Sequence, residues 1–343
     1  MGAHRSHVSA KLSAPLVAGL VLLVLASSAG GATSSRSSPG DWIAVEGGGG
    51  LAVVDAWTGA RRQVAVFVES EAAWSPDHRA LAYVAGGALR TSRLATGRQR
   101  MVTRLGGRFS IGPSWSKRGG RLALTVHGAL SDVADLIVVG RDGRQRRLVD
   151  RAAASYQVPQ WSPDGRRLAY IRNAADDSSI WVARANGGRR VLQRHVLDNP
   201  RSLSWSPDGR RVAFVGSPAG VAAGAAVHVA NANGAQRRAV SSVTPQLDDP
   251  SVGFVKWSPN ARRIAFLRWA ADGKAALCVT DLNGRERVLV PAASISDFAW
   301  SPGGRWLAYL TDSPGTLWVL RADGSELRKV GRLSDEVEAI AWG

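Results

Sequence analysis

Trp161-Ser162-Pro163-Asp164-Gly165-Arg166-Arg167-Leu168-Ala169-Tyr170 is the stretch that decides the fold, because the same ten-residue phrase returns along most of the 343-residue chain. A second full copy begins at Trp205, variants begin at Trp74, Trp115, Trp257 and Trp300, and a seventh tryptophan, Trp342, stands one residue before the end. Successive tryptophans are 41, 46, 44, 52, 43 and 42 residues apart. That is the period at which each repeat forms one four-stranded propeller blade.

Each unit reads as four strands. The first ends at the tryptophan, with a mostly apolar residue two before it (Leu203, Val255, Phe298, Ile340), as a strand of period two requires. Pro113 and Pro159 take that place in two units and must sit where no ladder N–H is needed. Ser-Pro-Asp-Gly is a turn: proline fixes one negative φ, aspartate bonds its own backbone, and glycine accepts a positive φ. A second strand follows (Leu168-Ala169-Tyr170, Val212-Ala213-Phe214), then a third (Ile180-Trp181-Val182, Val227-His228-Val229), which runs into Asn186-Gly187, Asn233-Gly234, Asn283-Gly284 or Asp323-Gly324. These dipeptides are strong hairpin signals, and the fourth strand follows directly.

The two ends complete one another. Glu338-Ala339-Ile340-Ala341-Trp342 stops where Ser-Pro should follow, and residues 38 to 45 begin with Ser38-Pro39 and run into Trp42-Ile43-Ala44-Val45. The expected fold is therefore all-β: a seven-bladed β-propeller of four-stranded antiparallel blades, its ring closed by N- and C-terminal segments that share one blade. Closure removes the exposed sheet edges of an open array.

On these residues the repeat resembles the TolB-type β-propeller repeat, matched from Ser38 to Trp342 through the Trp-Ser-Pro-Asp-Gly-Arg-Arg-Leu-Ala-Tyr core and the downstream Asn-Gly or Asp-Gly turn. The resemblance implies an extracytoplasmic propeller that serves as a binding scaffold. TolB itself has six blades behind an α/β domain, whereas seven units are counted in this chain, so the role of TolB in the Tol envelope system is not carried over. The repeat also occurs in propellers that gate prolyl-oligopeptidase-like enzymes. Their Gly-x-Ser-x-Gly is absent: Gly112-Pro113-Ser114-Trp115-Ser116 lacks the last glycine and belongs to a repeat strand.

The formal charge is +17, and of the 44 basic residues only five are lysine. Without a recognition motif this arginine excess does not indicate specific nucleic-acid binding. His4, Arg5, His7 and Lys11 precede an apolar run of 13 residues from Ala14 to Ala26, followed by small residues. Residues 1–32 thus read as a secretory signal peptide, 33–37 as a linker and 38–343 as the propeller. The run is shorter than the roughly 20 residues of a membrane span, which leaves an uncleaved anchor as the alternative. Cys278 is the only cysteine, so no intramolecular disulfide forms.

Antiparallel blades divide the connections between two faces. Turns after the first and third strands share one face and are short and arginine-rich: Arg166-Arg167, Arg210-Arg211, Arg262-Arg263. They are either solvated strand ends or a surface for anionic envelope material. Connections after the second and fourth strands share the other face and are longer and more acidic, with Glu69 and Glu71 among them. Variable loops on a rigid scaffold carry recognition. Asp132, Asp135, Asp176, Asp177, Asp198, Asp248, Asp249 and Asp297 are accordingly the expected partner-binding residues, with the connections 216–226 and 241–252 as specificity elements. The partner class is a protein, peptide or glycan, and the propeller is expected to act as a monomer. No catalytic, cofactor or metal residues are assigned. His78, His127, His195 and His228 fall in different units without ligand spacing, no Asp-x-Asp-x-Asp-Gly loop is present, and His228 and Cys278 occupy a core strand position. The enzyme alternative is a hydrolase or lyase with carboxylates and a histidine gathered at the channel mouth.

Overall fold

A computed structural model describes residues 38, 40–48, 50–106, 110–128, 133–153, 155–156, 159–173, 178–186, 189–194, 197–198, 202–218, 225–242, 252–270, 272–311, 315–333 and 337–343. The signal-peptide and linker assignments, and most of the two long connections, lie outside the described residues. The unit from Ser37 to Gly343 consists of seven antiparallel sheets. No described residue is helical.

Blade 1 is formed by both ends of the chain, in the order Arg61–Val66, Gly50–Asp55, Trp42–Gly47, Val337–Trp342. The last strand pairs Trp342 with Ile43 and Ile340 with Val45. Blades 2 to 7 follow in chain order, with innermost strands ending at Trp74, Trp115, Trp161, Trp205, Trp257 and Trp300. The innermost strands contact one another in succession around the ring. Pro113 lies in an irregularity between Ile111 and Ser114, and the inner strand of blade 4 resumes only after Pro159, at Gln160. Both prolines therefore avoid the ladder.

The core is divided into seven apolar layers, one in each gap between neighbouring blades. A second strand is consequently apolar on both faces: Leu168 and Tyr170 pack toward blade 3, and Ala169 and Ile171 toward blade 5. The small residue at the centre of that strand, Ala82, Ala123, Ala169, Ala213, Ala265 or Ala308, is fully buried and lets the sheets approach closely. Outer strands such as Gln99–Arg104 and Leu327–Arg332 are largely exposed and basic, a composition that discourages edge-to-edge pairing.

The turn chemistry recurs. The Ser162 hydroxyl donates to Asp164 at 2.5 Å and accepts the Arg167 N–H at 2.9 Å, and Ser206 does the same with Asp208 and Arg211. At Asp77 the hydroxyl of Ser75 holds the carboxyl below the usual range. Gly165, Gly209 and Gly304 take positive φ, but His78 (φ 55°) and Ala261 (φ 60°) occupy the equivalent place. The third strands align as the repeat requires: Trp181, His228, Cys278 and Trp318 stand opposite Tyr170, Phe214, Phe266 and Tyr309. His228 is buried and stacked on Phe214, and burial, with Arg237 nearby, lowers its pKa to about 4.

Candidate functional site at the channel mouth

Hydrogen bonds between inner strands set up the site. In five blades the indole N–H of the repeat tryptophan donates to the carbonyl just before the tryptophan of the preceding blade: Trp74 to Ala341, Trp115 to Ala73, Trp161 to Ser114, Trp205 to Gln160 and Trp300 to Lys256, at 2.9 to 3.1 Å. A second latch runs forward around the ring. In two blades the side chain three residues before a tryptophan accepts the backbone N–H two residues before the next tryptophan. Ser202 thus accepts from Val255 at 2.9 Å, and Asp297 accepts from Ile340 at 3.0 Å. In blade 1 that position is Ala339, which has no acceptor. Glu46, its cross-strand partner, reaches over to take the Ala72 N–H instead.

Glu71 occupies the same position in blade 2, and the residue it faces in blade 3 is Pro113, which has no N–H to give. Among the described residues the Glu71 carboxylate has no hydrogen-bond or ion-pair partner. Its backbone and Cβ lie against Gly112, where an added Cβ would meet the Glu71 carbonyl at 3.0 Å. By accessible surface the residue is exposed, although the neighbouring blades crowd its carboxyl and strip away part of its hydration. That desolvation raises its pKa above the ordinary 4.5, Asp297 raising it further and Lys256 opposing. Lys256 itself is committed, donating to Asp297 at 2.9 Å and to the Phe298 carbonyl, with its ammonium 5.0 Å from the Phe298 ring centroid.

The acids expected from sequence fare differently. Asp297 is 7% exposed and lies within the strand Ile295–Trp300, tied to Lys256 and Ile340. Asp135 is also a strand residue, 6% exposed, held by the directly opposed Arg151 through two bonds of 2.6 and 2.8 Å. Both were expected on loops, but the strands already begin at Val133 and Ile295. Asp198 is placed in the short strand Leu197–Asp198. Asp132, Asp176, Asp177, Asp248, Asp249 and His195 lie outside the described residues. Of the other acids on this face, Glu69 accepts the Gly87 N–H and Asp272 pairs with Lys274. Among the described acids of this face, Glu71 is the one whose carboxylate is left unengaged. Among the described residues no group of three or more His, Cys, Asp or Glu side chains is arranged to hold a metal ion.

On the opposite face two of the turn arginines are more than solvated strand ends. Arg121 lies 5.0 Å from the Trp161 ring and donates to the Gly165 carbonyl at 2.6 Å. Arg167 lies 5.0 Å from Trp205 and donates to Gly209 at 3.2 Å. In these two blades the second arginine of the repeat is therefore a staple to the following blade, combining a cation–π contact with a charge-assisted hydrogen bond, whereas Arg211 and Arg263 at the same position do not form it.

No family model and no curated protein matches the chain. Solved structures do. TolB from Acinetobacter baumannii aligns with TM-score 0.56 and 16% identity over 88% of this chain and 66% of its own length. An oligogalacturonate lyase in complex with manganese aligns with TM-score 0.67 and 15% identity over 84% and 88%. The periplasmic gluconolactonase of Pseudomonas aeruginosa aligns with TM-score 0.58 and 16% identity over 87% and 98%. Binding and catalytic proteins both occur among these neighbours, and likeness at such identities speaks to fold alone. In fold, the chain is a β-propeller similar to that of TolB, built with seven blades.

Proposed function

We propose that the chain is a secreted, non-catalytic binding propeller whose loop face receives a protein or peptide partner, with Glu71 at the channel mouth as the anchor for a basic side chain or free amine. The observation that carries this is the solitary Glu71 carboxylate: the latch that engages its counterparts is denied to it by Pro113. A partly desolvated carboxylate without a hydrogen-bond or ion-pair partner gains more from an incoming ammonium or guanidinium than one already paired. Secretion rests on the charged, apolar and small-residue sequence of residues 1–32.

Isothermal titration with trilysine, against triglycine as control, tests the reading. The expected result is saturable trilysine binding that weakens about tenfold in Glu71→Gln, the loss of one charge-assisted contact. Equal affinity in both proteins overturns it. A second reading is favoured by the same raised pKa, which suits a general acid: a hydrolase or lyase acting at the channel mouth. It requires turnover of peptide, lactone or uronate substrates that disappears in Glu71→Gln.

A further inference from the structure

Arg263, like Arg211, does not form the staple made by Arg121 and Arg167. By position it should cover Trp300 and bond the Gly304 carbonyl, as Arg167 covers Trp205 and bonds Gly209. Instead its guanidinium donates to the Ala322 carbonyl at the other turn of blade 7. The sequence supplies a reason. Blade 6 carries Asn260 where the repeat has aspartate, and the Asn260 amide, 3.5 Å from the Gly304 carbonyl, weakly takes the place that the arginine vacates. A released staple leaves a gap. Between the turns of blades 6 and 7 lies a cleft of about 490 Å3, bounded by Asn260, Arg262, Arg263, Trp300, Arg305 and Asp323, within the roughly 300 to 1,000 Å3 typical of small-molecule sites.

The charges in this cleft are unequal in their commitments. Arg263 is bound to Ala322, and Arg321, also in the wall, is paired with Glu326 at 2.9 Å and Asp323 at 3.6 Å. The guanidiniums of Arg262 and Arg305, one from each blade, have no partner among the described residues. Two free guanidiniums match a dianion, and their planar donor forks suit phosphate oxygens. Asn260 and Asp323 add a donor and an acceptor that hydroxyl groups can use, whereas Ser258 is committed to Asn260 and to the Arg263 N–H. We infer that this cleft is a binding site for a small phosphate monoester, its phosphate held between Arg262 and Arg305. The inference concerns the face opposite Glu71 and stands independently of the proposed partner.

Calorimetric titration at fixed ionic strength with inorganic phosphate, glucose 6-phosphate and glucose tests it. One-to-one saturable binding of the two anions and none of glucose is expected, with affinity falling about tenfold in Arg305→Gln and in Arg262→Gln. Both side chains are exposed, so the unfolding temperature should stay at that of the parent chain. Tighter binding of glucose 6-phosphate than of phosphate identifies a phosphosugar as the source, and equal binding identifies the phosphate group alone. Absence of saturable anion binding, or binding untouched by both substitutions, overturns the assignment.

Discussion

Trp74 donates its indole N–H to the carbonyl of Ala341, 2.9 Å away across 267 residues of sequence. This contact joins the second blade to the final strand and is one of the five tryptophan latches between neighbouring blades. Gly343 sits so close to the same indole that an added Cβ would fall 2.0 Å from it.

Removal of residues 335–343 takes away the inner strand of blade 1, exposes the edge of Trp42–Gly47 and breaks the latch to Trp74. The truncated chain is expected to aggregate or to lose its cooperative thermal transition, as read by calorimetry and light scattering. A soluble monomer melting at the parent temperature contradicts ring closure by the two ends.

The staple and the latch predict different losses. Trp205 is 7% exposed and fills the layer between blades 4 and 5, so Trp205→Ala should cost about 3 to 5 kcal/mol in urea unfolding. Arg167→Ala removes the ring contact and one charged hydrogen bond from a partly exposed site and should cost about 1 to 2 kcal/mol. Arg166, its exposed neighbour, has no such contact. Equal effects for Arg166→Ala and Arg167→Ala would show that the staple contributes nothing.

Ala261 holds φ 60° in the turn position that glycine fills elsewhere. Ala261→Gly should raise stability by about 1 kcal/mol by relieving left-handed strain. Gly165→Ala should do the reverse by a similar amount, about 1 kcal/mol, since nothing crowds a Cβ there within 3.9 Å. Matched urea titrations of the two variants check both signs.

Much of this fold is legible in the sequence because its determinants are local. The tryptophan period gives the blade count, Asn-Gly and Ser-Pro-Asp-Gly give the turns, and the unfinished repeat at Trp342 gives closure. The placing of His228 and Cys278 in the core follows from strand register alone. The site is less legible, because its contacts cross between repeats. Arg167 reads as a strand end until Gly209, 42 residues on, is seen to accept from it. Glu71 is one loop acid among several until position 71 is set against position 113 in the next unit. Both residues were visible, but the relation between them depends on how one blade leans on the next. Asp297 and Asp135 show the complementary error, acids placed on loops because strand starts are weakly marked.

Glu71 also predicts a pH dependence. An acid whose folded pKa lies above its unfolded value holds its proton more readily in the folded chain, so its favourable contribution is complete below pH 4.5 and is lost as pH rises through the folded value. Glu71→Gln should therefore raise the unfolding temperature at pH 7 and leave it unchanged near pH 4, as followed by calorimetry. A stabilisation that is the same at both pH values excludes a partly desolvated, unpaired carboxylate.

Glu71 is free because residue 113 has no N–H, and Pro113→Ala restores one. The most direct test is the titration of the Glu71 carboxyl by carbon-13 NMR in the parent chain and in Pro113→Ala. The account predicts a pKa above the ordinary value in the parent and a fall in the variant, as the new N–H latches the carboxylate in the way Ile340 latches Asp297. An unchanged titration after Pro113→Ala would contradict it.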